Sequence, residues 1–485
     1  MVDPKFWTGV VKITPAHDPN DFEAGRRHNL EIKQVIDHTG RLTEITGPYA
    51  GLKTMAARER VVADLKKKGL LVKVDPDYAH AVTVCYKCGR DLEPMITPNW
   101  FIKVKDLKTK VRETIEKDRV KFFPHRFKKH LLTWLDIMHD WPISRQIAWA
   151  IRIPAWYAVA KNPRLQVTFL DQKGQRVAGE IKTLLAKYSF TEIEKGLQTL
   201  VAPKDAAYEI AFAKPKGNYL QETDTFDTWF SSGQWPLLVL EKAELKTRFP
   251  TDVLGTLSDI LKFWVSRMIL FSLYLTNQVP FKDVYLWSMV ADAKGIKMSK
   301  SKGNVVNPIA LVEKYGADAL RFSLLYGSPA GSKVILSDDK VRAMRNFANK
   351  IWNLGRFLQM SYQGTNPSDT VPKDLQAADQ KILFELNQLI QKTTAALDGY
   401  RLNEAAELIY GFAWHTFADK YVEETKERTK HKDRAALYTL RQIYLNILKL
   451  LHPFMPFVTE QIWREISSLR QSPDQLLIKT AWPKP

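Results

Sequence analysis

Cysteine is nearly absent from this chain of 485 residues. Only two cysteines are present, Cys85 and Cys88, in the run Cys-Tyr-Lys-Cys-Gly. This run resembles one knuckle of a zinc ribbon, but a structural zinc site needs four ligands, usually supplied by two such knuckles. We therefore expect no zinc and no other metal site, and we interpret the two cysteines as reduced thiols rather than as a disulfide.

Long hydrophobic runs are also missing. No apolar segment reaches the ~20 residues that a membrane-spanning helix needs. The opening run MVDPKFWTGVV contains no apolar core of the kind that marks a signal peptide. The sequence therefore predicts a cytoplasmic protein with no membrane partner.

Acidic residues are too few to balance the basic ones. The chain has 72 lysines and arginines against 53 acidic residues, which gives a net charge of +19. A folded protein with this excess is expected to bind a polyanion, first of all a nucleic acid. The alternative is a protein that is basic without a nucleic-acid partner. The 14 tryptophans and 23 phenylalanines exclude a disordered basic tail.

The spacing of apolar residues divides the chain into three parts. Residues 1–95 combine short β-like runs with one helix at 54–69, and residues 96–337 are of mixed α/β character with a lysine-rich insertion at 158–222. From about residue 338 the period becomes 3.6, and helices are predicted at 341–359, 376–397, 402–428, 434–451 and 459–469. The predicted fold class is therefore multidomain, α/β followed by all-α.

The most informative motif is the run KMSKS at 297–301, which follows a hydrophobic strand predicted at 284–290. Lys297 and Lys300 stand on a loop of small polar residues and can reach phosphate groups as mobile point charges. Phosphate chemistry places negative charge on oxygens in the transition state, so positioned cations stabilise it. The alternative is an exposed basic loop without a function.

Further motifs follow one another along the chain. They are ITPAHDPNDFE at 13–23, WPISRQ at 141–146, IPAWY at 153–157, FDTWFSS at 226–232, DILKFWVSRM at 259–268 and YGADALRF at 315–322. With the KMSKS run, they resemble the valyl-tRNA synthetase family of class I aminoacyl-tRNA synthetases over nearly the whole chain except the insertion. The resemblance implies part of an editing β-domain at 1–95, the second half of a Rossmann-like catalytic domain at 96–337, and a helical-bundle anticodon-binding domain at 338–485.

The resemblance also implies an activity, that of a valine--tRNA ligase. Such an enzyme activates valine with ATP and transfers it to tRNA(Val), and Mg²⁺ is expected with the ATP. Lys297 and Lys300 would be catalytic and would hold the leaving phosphates. Ser299 and Lys300 would bind ATP, and Asp259 would accept hydrogen bonds from the ribose of ATP. A helix N-cap role for Asp259 remains the alternative.

Two further sites are implied for amino-acid recognition. Asp227 and Trp229 would line the valine pocket, although Trp229 could equally be a core residue. A pocket that accepts valine cannot strongly reject isosteric threonine, for which valyl enzymes are the standard example, so a second hydrolytic site is needed. Asp18, next to His17, would bind the α-ammonium group of misattached threonine in that editing site. The alternative for these two residues is a surface turn before Pro19.

The helical part would hold the anticodon stem of the tRNA. Candidate contacts on its first helix are Arg342, Arg345, Lys350 and Trp352, because basic and aromatic side chains pair with phosphates and stack on bases. For each of them, a solvated charge or a core aromatic is the alternative.

No HIGH-type motif occurs in residues 1–485. In the family this motif lies upstream and binds ATP opposite the lysine loop. We therefore expect a chain that is inactive alone and works with a separate N-terminal synthetase polypeptide. The alternatives are a non-catalytic tRNA-binding protein derived from a synthetase, or part of an isoleucyl- or leucyl-tRNA synthetase.

Overall fold

The computed structural model describes residues 11–37, 39–79, 81–85, 88–241, 246–292, 294–299, 303–470, 472 and 474–485. The chain divides into two compact units. Unit 1 contains Met1–Trp100 and Pro142–Phe226, and unit 2 contains Phe101–Trp141 and Asp227–Pro485.

The strands are short, with two to six residues each. They are β1 Phe101–Ile102, β2 Lys121–Phe123, β3 Trp141–Pro142, β4 Ser144–Arg145, β5 Ala155–Ala158, β6 Gln166–Leu170, β7 Arg176–Glu180, β8 Leu197–Val201, β9 Tyr208–Ile210, β10 Tyr219–Gln221, β11 Thr225–Phe226, β12 Thr251–Thr256, β13 Phe281–Leu286, β14 Met289–Ala291 and β15 Lys333–Ile335.

The α-helices are short in the first half of the chain and longest after residue 337. They are α1 Pro19–His28, α2 Thr54–Lys67, α3 Lys105–Glu116, α4 Arg126–Ile137, α5 Ile181–Leu184, α6 Phe190–Gly196, α7 Thr228–Ser232, α8 Trp235–Val239, α9 Ser266–Thr276, α10 Pro308–Tyr315, α11 Ala317–Leu325, α12 Asp338–Ser361, α13 Ala377–Asp398, α14 Leu402–Gly411, α15 Val422–Glu424, α16 Lys426–Lys430, α17 Arg434–Leu451 and α18 Pro456–Glu465. Leu261–Val265 and Phe412–Tyr421 are π-helical.

Unit 1 is built around two antiparallel three-stranded sheets. Their strand orders are β10-β5-β9 and β7-β6-β8. Alternating residues of β6, including Val167 and Phe169, point into a core that they share with Leu165, Ile181 and Leu220. The region predicted as an insertion thus folds into sheet structure with its own hydrophobic core, because its apolar residues alternate with period two.

Short predicted strands before residue 95 do not form ladders. Residues 11–14 and 79–84 contain no strand where they are described, and only isolated bridges join Ile36 to Leu42 and Val84 to Asp91. The predicted helix at 54–69 is confirmed as α2. A strand needs a run of paired neighbours, and in the described residues these short runs pair only at single positions.

The α/β part of unit 2 holds a parallel three-stranded sheet in the order β12-β13-β2. The helix α9 packs against α3 and is buried over most of its length, from Ser266 to Leu273. A helix buried on most sides reads as a nearly continuous apolar run, which matches α9. In β13, the buried Phe281, Val284 and Leu286 are separated by exposed or half-buried residues. A second parallel pair, β14 with β15, follows directly after β13.

The helical part of unit 2 follows the predicted 3.6-residue period closely. On α12, the residues Val341, Met344, Phe347, Ile351 and Leu354 are buried at spacings of three and four. The predicted helix at 402–428 is divided into α14, the π-helical turns of Phe412–Tyr421, α15 and α16. α13 and α17 lie within one residue of the predicted bounds, whereas α12 begins three residues early and α18 begins three and ends four residues early.

Candidate functional site

Two candidate residues follow the carboxyl ends of neighbouring parallel strands. Asp259 comes after β12, and the lysine loop comes after β13 and the short strand β14. In open parallel sheets, ligands bind outside the carboxyl ends of the strands. The fold therefore brings these two sequence segments to the same edge of the sheet.

The lysine loop begins with a tight turn at Asp292. Its side-chain Oδ1 accepts hydrogen bonds from the backbone N–H groups of Lys294 at 3.0 Å and Ile296 at 2.9 Å. Gly295 has a φ of +74°, which favours glycine at this position. The chain then returns antiparallel to β14, with a bridge between Ala291 and Lys297. The turn thus places Lys297 directly beside the end of a strand.

The side chains of Lys297 and Asp259 meet in an ion pair between Nζ and Oδ2. Both are about half exposed, at 46% and 44% of their side-chain area, so water and solutes reach them. Asp259 lies inside a 3₁₀ turn, Ser258–Ile260, and makes no capping hydrogen bond there. The Asp259 carboxylate is therefore directed at the lysine loop in this structure. Lys300 lies outside the described residues.

Sequence reasoning missed Asn304. Its side chain contacts both the turn residue Asp292 and the backbone of the lysine loop, at Lys297 and Ser299. Side-chain amides commonly hold loops by hydrogen bonds to backbone groups, but that signal in a sequence is weak without knowledge of what lies nearby.

Asp227 is buried, with 5% of its area exposed. Its Oδ2 accepts a hydrogen bond from Trp141 Nε1 at 3.0 Å. The guanidinium of Arg267 lies over the same Trp141 ring at 4.1 Å from the centroid. Burial lowers the pKa of Arg267 to about 10, and the charge of Asp227 partly opposes this shift. Asp227 therefore fixes the indole of Trp141 and partly balances the buried charge of Arg267.

Trp229 lies two residues further along, in the first turn of α7. Its ring stacks on Phe263 with centroids 5.9 Å apart and planes 19° from parallel. Trp229 is half-buried, whereas Phe263 is 38% exposed. The pair forms an aromatic surface at the boundary between the core and solvent.

The candidate editing residues His17 and Asp18 lie in unit 1. The His17 side chain contacts the backbone of two other segments of that unit. The backbone N–H of Val35 donates to His17 Nε2 at 3.0 Å, and His17 Nδ1 lies 2.9 Å from the carbonyl oxygen of Pro94. An N–H can only donate, so Nε2 is the acceptor and the ring proton sits on Nδ1. His17 therefore positions the loop before α1.

Asp18 is the N-cap of α1. Its Oδ1 accepts from the backbone N–H groups of Asn20 at 2.8 Å and Asp21 at 3.0 Å. The predicted surface turn before Pro19 is thus a helix start. An N-cap carboxylate is fixed in direction, which is also useful for binding an ammonium group.

The four candidate tRNA contacts of α12 point in different directions. Arg342 is exposed and pairs with Asp339, whereas Lys350 Nζ lies 2.9 Å from Asp419 Oδ1. Arg345 lies over the ring of Tyr315, 5.7 Å from its centroid. The structure therefore does not gather these side chains into one patch.

Trp352 lies in a groove of about 310 Å³ between α12 and α18. The groove is lined by Trp352, Gly355, Arg356, Gln359, Ile462, Glu465 and Ile466. Arg356 was not among the sequence candidates, although its spacing of four residues from Trp352 places both on one face of the helix. An aromatic ring, a cation and amide groups are the side chains that bind a splayed nucleobase.

Backbone hydrogen bonds are described at the start and end of the cysteine run. The N–H of Cys85 donates to Arg90 O and the N–H of Gly89 donates to Cys85 O, both at 2.8 Å. Within the described ranges, no three histidine, cysteine or acidic side chains are placed to hold a metal ion. In the same part of the chain, every helix is too short or too polar to span a bilayer.

Comparison with known proteins identifies two matching families. Residues 22–337 match the model of tRNA synthetases class I (I, L, M and V), and residues 379–485 match that of the anticodon-binding domain of tRNA ligase.

Individual relatives match over nearly the whole chain. A valine--tRNA ligase of Geobacter sulfurreducens is 40% identical over 483 residues, covering 97% of this chain and 50% of that protein. Another from Petrotoga mobilis is 39% identical over 490 residues, covering 100% and 52%. The chain thus spans about half the length of the curated relatives it matches. Methionyl-tRNA synthetase of Mycobacterium tuberculosis in complex with methionyl-adenylate shares the fold, with a TM-score of 0.56 at 18% identity, over 83% of this chain and 71% of that one.

Proposed function

Because this chain belongs to the class I tRNA synthetases (I, L, M and V), we propose that it acts in the ligation of valine to tRNA(Val). The observation that carries the proposal is the meeting of Lys297 and Asp259 at the carboxyl edge of a parallel sheet. The valine--tRNA ligase relatives at about 40% identity favour valine as the amino acid.

In the proposed reaction, the carboxylate of valine attacks the α-phosphorus of ATP, and the bond to the β-phosphate oxygen breaks. Lys297 would neutralise the negative charge that collects on the leaving pyrophosphate. ATP phosphates would draw Lys297 away from Asp259, which frees that carboxylate to accept hydrogen bonds from the ribose hydroxyls. Ser299 and Lys300 would contact the same phosphates, and Mg²⁺ would arrive bound to ATP.

The amino-acid side of the pocket would be formed by the Trp229 and Phe263 rings, with Asp227 behind them. The rings offer a flat apolar surface to an aliphatic side chain. Asp227 is held by Trp141 and faces the buried Arg267, so its main role would be to fix the pocket wall.

A second polypeptide segment would complete the ATP site. The chain matches only about half of each relative, and a HIGH-type motif is not found in residues 1–485. We propose that a segment bearing that motif, on the same or on a separate polypeptide, binds ATP opposite Lys297.

The function is tested by supplying that segment. The chain mixed with the portion of the Geobacter sulfurreducens valine--tRNA ligase that it does not match is expected to exchange pyrophosphate into ATP when valine is added. Neither piece alone should exceed background. Isoleucine and leucine in place of valine test the related specificities. Exchange at background with all three amino acids would contradict the proposal.

A non-catalytic tRNA-binding protein is the second candidate. The observation in its favour is Trp287, whose ring covers Gly255 on β12 so closely that a Cβ there would lie 2.5 Å from ring atom Cζ2. The Trp287 ring therefore occupies space beside the sheet edge at which a nucleotide would bind. Salt-sensitive tRNA binding without exchange in any mixture would support this candidate.

The helical part would supply the tRNA contacts. The groove beside Trp352 and Arg356 suits an unstacked nucleobase, and Arg342, Arg345 and Lys350 would pair with phosphates once their present contacts are exchanged for the RNA. The net charge of +19 supports a polyanionic partner.

Editing of mischarged threonine would be the second activity. Asp18 would hold the α-ammonium group of threonine, and His17 would fix the loop that carries it. Since His17 is a hydrogen-bonding partner for two backbone groups, it would be a positioning residue.

Changing Asp18→Asn is expected to lower hydrolysis of threonyl-tRNA(Val) at least about tenfold, because the amide carries no charge for the ammonium group. Asparagine caps helices as well as aspartate, so the melting temperature should not change. The variant Asp18→Ala serves as control and should lose about 1 kcal/mol of stability in addition. Deacylation of threonyl-tRNA and thermal unfolding are measured together. Unchanged hydrolysis in Asp18→Asn would rule out the proposed ammonium contact.

A further inference from the structure

We propose that Asn304 is a positioning residue for the lysine loop, which its side-chain amide ties to the turn at Asp292. This inference rests on the proposed function, in which Lys297 is the phosphate-binding group. Asn304 itself touches no reacting atom in this proposal. It determines where the Lys297 ammonium group stands.

The amide of Asn304 contacts three points. Its Nδ2 donates to Asp292 Oδ2 at 2.8 Å and lies 3.3 Å from the carbonyl oxygen of Lys297. Its Oδ1 accepts from the backbone N–H of Ser299 at 3.0 Å. The backbone is thus held on both sides of Met298, directly after Lys297.

The orientation of this amide follows from its partners. A backbone N–H can only donate and a carbonyl oxygen can only accept, so Oδ1 faces Ser299 and Nδ2 faces Lys297. Only a side chain with both donors and an acceptor serves all three points. Aspartate at this position would offer acceptors alone and would repel the carboxylate of Asp292.

Asp292 is a suitable anchor because it is itself fixed. Its other oxygen, Oδ1, accepts from Lys294 and Ile296, and it remains ionised. The hydrogen bond from Asn304, followed by the bond from the Ile296 N–H, lowers the pKa of the Asp292 carboxyl. The anchor, the amide and the loop backbone therefore form one connected network.

The position of a lysine ammonium group depends strongly on whether the backbone that carries it is fixed. The lysine side chain has several rotatable bonds, and its ammonium group acts as a point charge whose effect depends on distance. The network limits the position of the Lys297 Cα, and the contact with Asp259 shows that the side chain then reaches the edge of the sheet. Without the Asn304 amide, the loop backbone would be less fixed and the Lys297 ammonium group would occupy a wider range of positions.

The test compares Asn304→Ala and Asn304→Asp with Asn307→Ala in the full chain. Asn307 lies three residues further on, and its side chain caps α10 through the Ile309 N–H at 3.0 Å, so it is a matched control outside the network. Hydrogen exchange of peptides covering residues 294–299 is expected to be at least about fivefold faster in both Asn304 variants. The Asn307 control should exchange at the wild-type rate there.

A second measurement tests whether the position of the loop affects phosphate binding. Calorimetry gives the Kd of pyrophosphate for the same proteins and for Lys297→Ala. The Kd is expected to rise about tenfold in Asn304→Ala, less than in Lys297→Ala, with no change in Asn307→Ala. Unchanged exchange at 294–299 in the Asn304 variants would overturn the network. Faster exchange with an unchanged Kd, while Lys297→Ala loses binding, would overturn the positioning role. No loss of binding in Lys297→Ala would instead count against the proposed function.

Discussion

Replacing Arg428 by alanine is expected to lower the free energy of unfolding of the helical part of unit 2 by about 3–5 kcal/mol. The substitution leaves Asp379, whose side chain is 0% exposed, without its charged partner. A buried charge that loses its partner is far more costly than an exposed one, because the desolvation cost remains and the attraction is gone.

The contacts of this pair show why the effect should be large. The two guanidinium nitrogens of Arg428 lie 2.9 and 2.8 Å from the two oxygens of Asp379, in a bidentate arrangement. Arg428 also donates to both oxygens of Asp433, the N-cap of α17, at 3.2 Å. One arginine therefore connects α16 with the starts of α13 and α17, and its loss loosens three helices together.

Urea unfolding followed by circular dichroism and tryptophan fluorescence measures the change. The control is Arg342→Ala on α12, which removes an exposed ion pair with Asp339 and should cost only about 0–1 kcal/mol. Equal losses in the two variants would contradict the special role of the buried pair.

The pH dependence has a definite sign. Burial alone would raise the pKa of Asp379, but hydrogen bonds from Arg428 and Tyr421 outweigh it, and the pKa in the folded chain is lowered. A carboxyl group with a lowered folded pKa stabilises the protein above its unfolded pKa of ~3.9, and that stability is lost as the pH falls through the folded value. Wild type should therefore lose stability more steeply below about pH 4 than Arg428→Ala.

The helical half of the chain could be predicted well from the sequence. Helices bury one stripe, so Val341, Met344 and Phe347 reveal α12 by their spacing alone. The family matches confirm the predicted class of a synthetase catalytic domain followed by a helical anticodon-binding domain. The boundaries of the three domains remain predictions. The π-helical turns of Phe412–Tyr421 were not predictable, because their apolar pattern also fits an ordinary helix.

Less of the site could be predicted, since side-chain contacts depend on which loops meet. The motif identified Lys297 and Asp259, but their ion pair follows from the parallel pairing of β12 with β13, which joins segments far apart in sequence. Asn304 and Arg356 carried no separate signal, because an asparagine after a loop and an arginine on a basic helix are both common. The roles of all these residues in binding remain proposals.

The second large effect is expected at Lys297. The Lys297→Ala variant should lower valine-dependent exchange of pyrophosphate into ATP by about 10²–10³-fold, the usual cost of removing one positioned group that stabilises transition-state charge. The assay is the mixture with the unmatched portion of the Geobacter sulfurreducens enzyme.

The matched control is Lys294→Ala. Lys294 is an exposed lysine of the same turn whose backbone N–H donates to Asp292, so removing its side chain lowers the local charge equally and leaves that hydrogen bond in place. If exchange depended on the net charge of the loop alone, the two variants would be equally slow. A transition-state contact at Lys297 instead requires a large fall in kcat with Lys297→Ala and a change of less than about threefold with Lys294→Ala. Lys297→Arg should recover only part of the rate, because a planar guanidinium cannot occupy the position of a compact ammonium group.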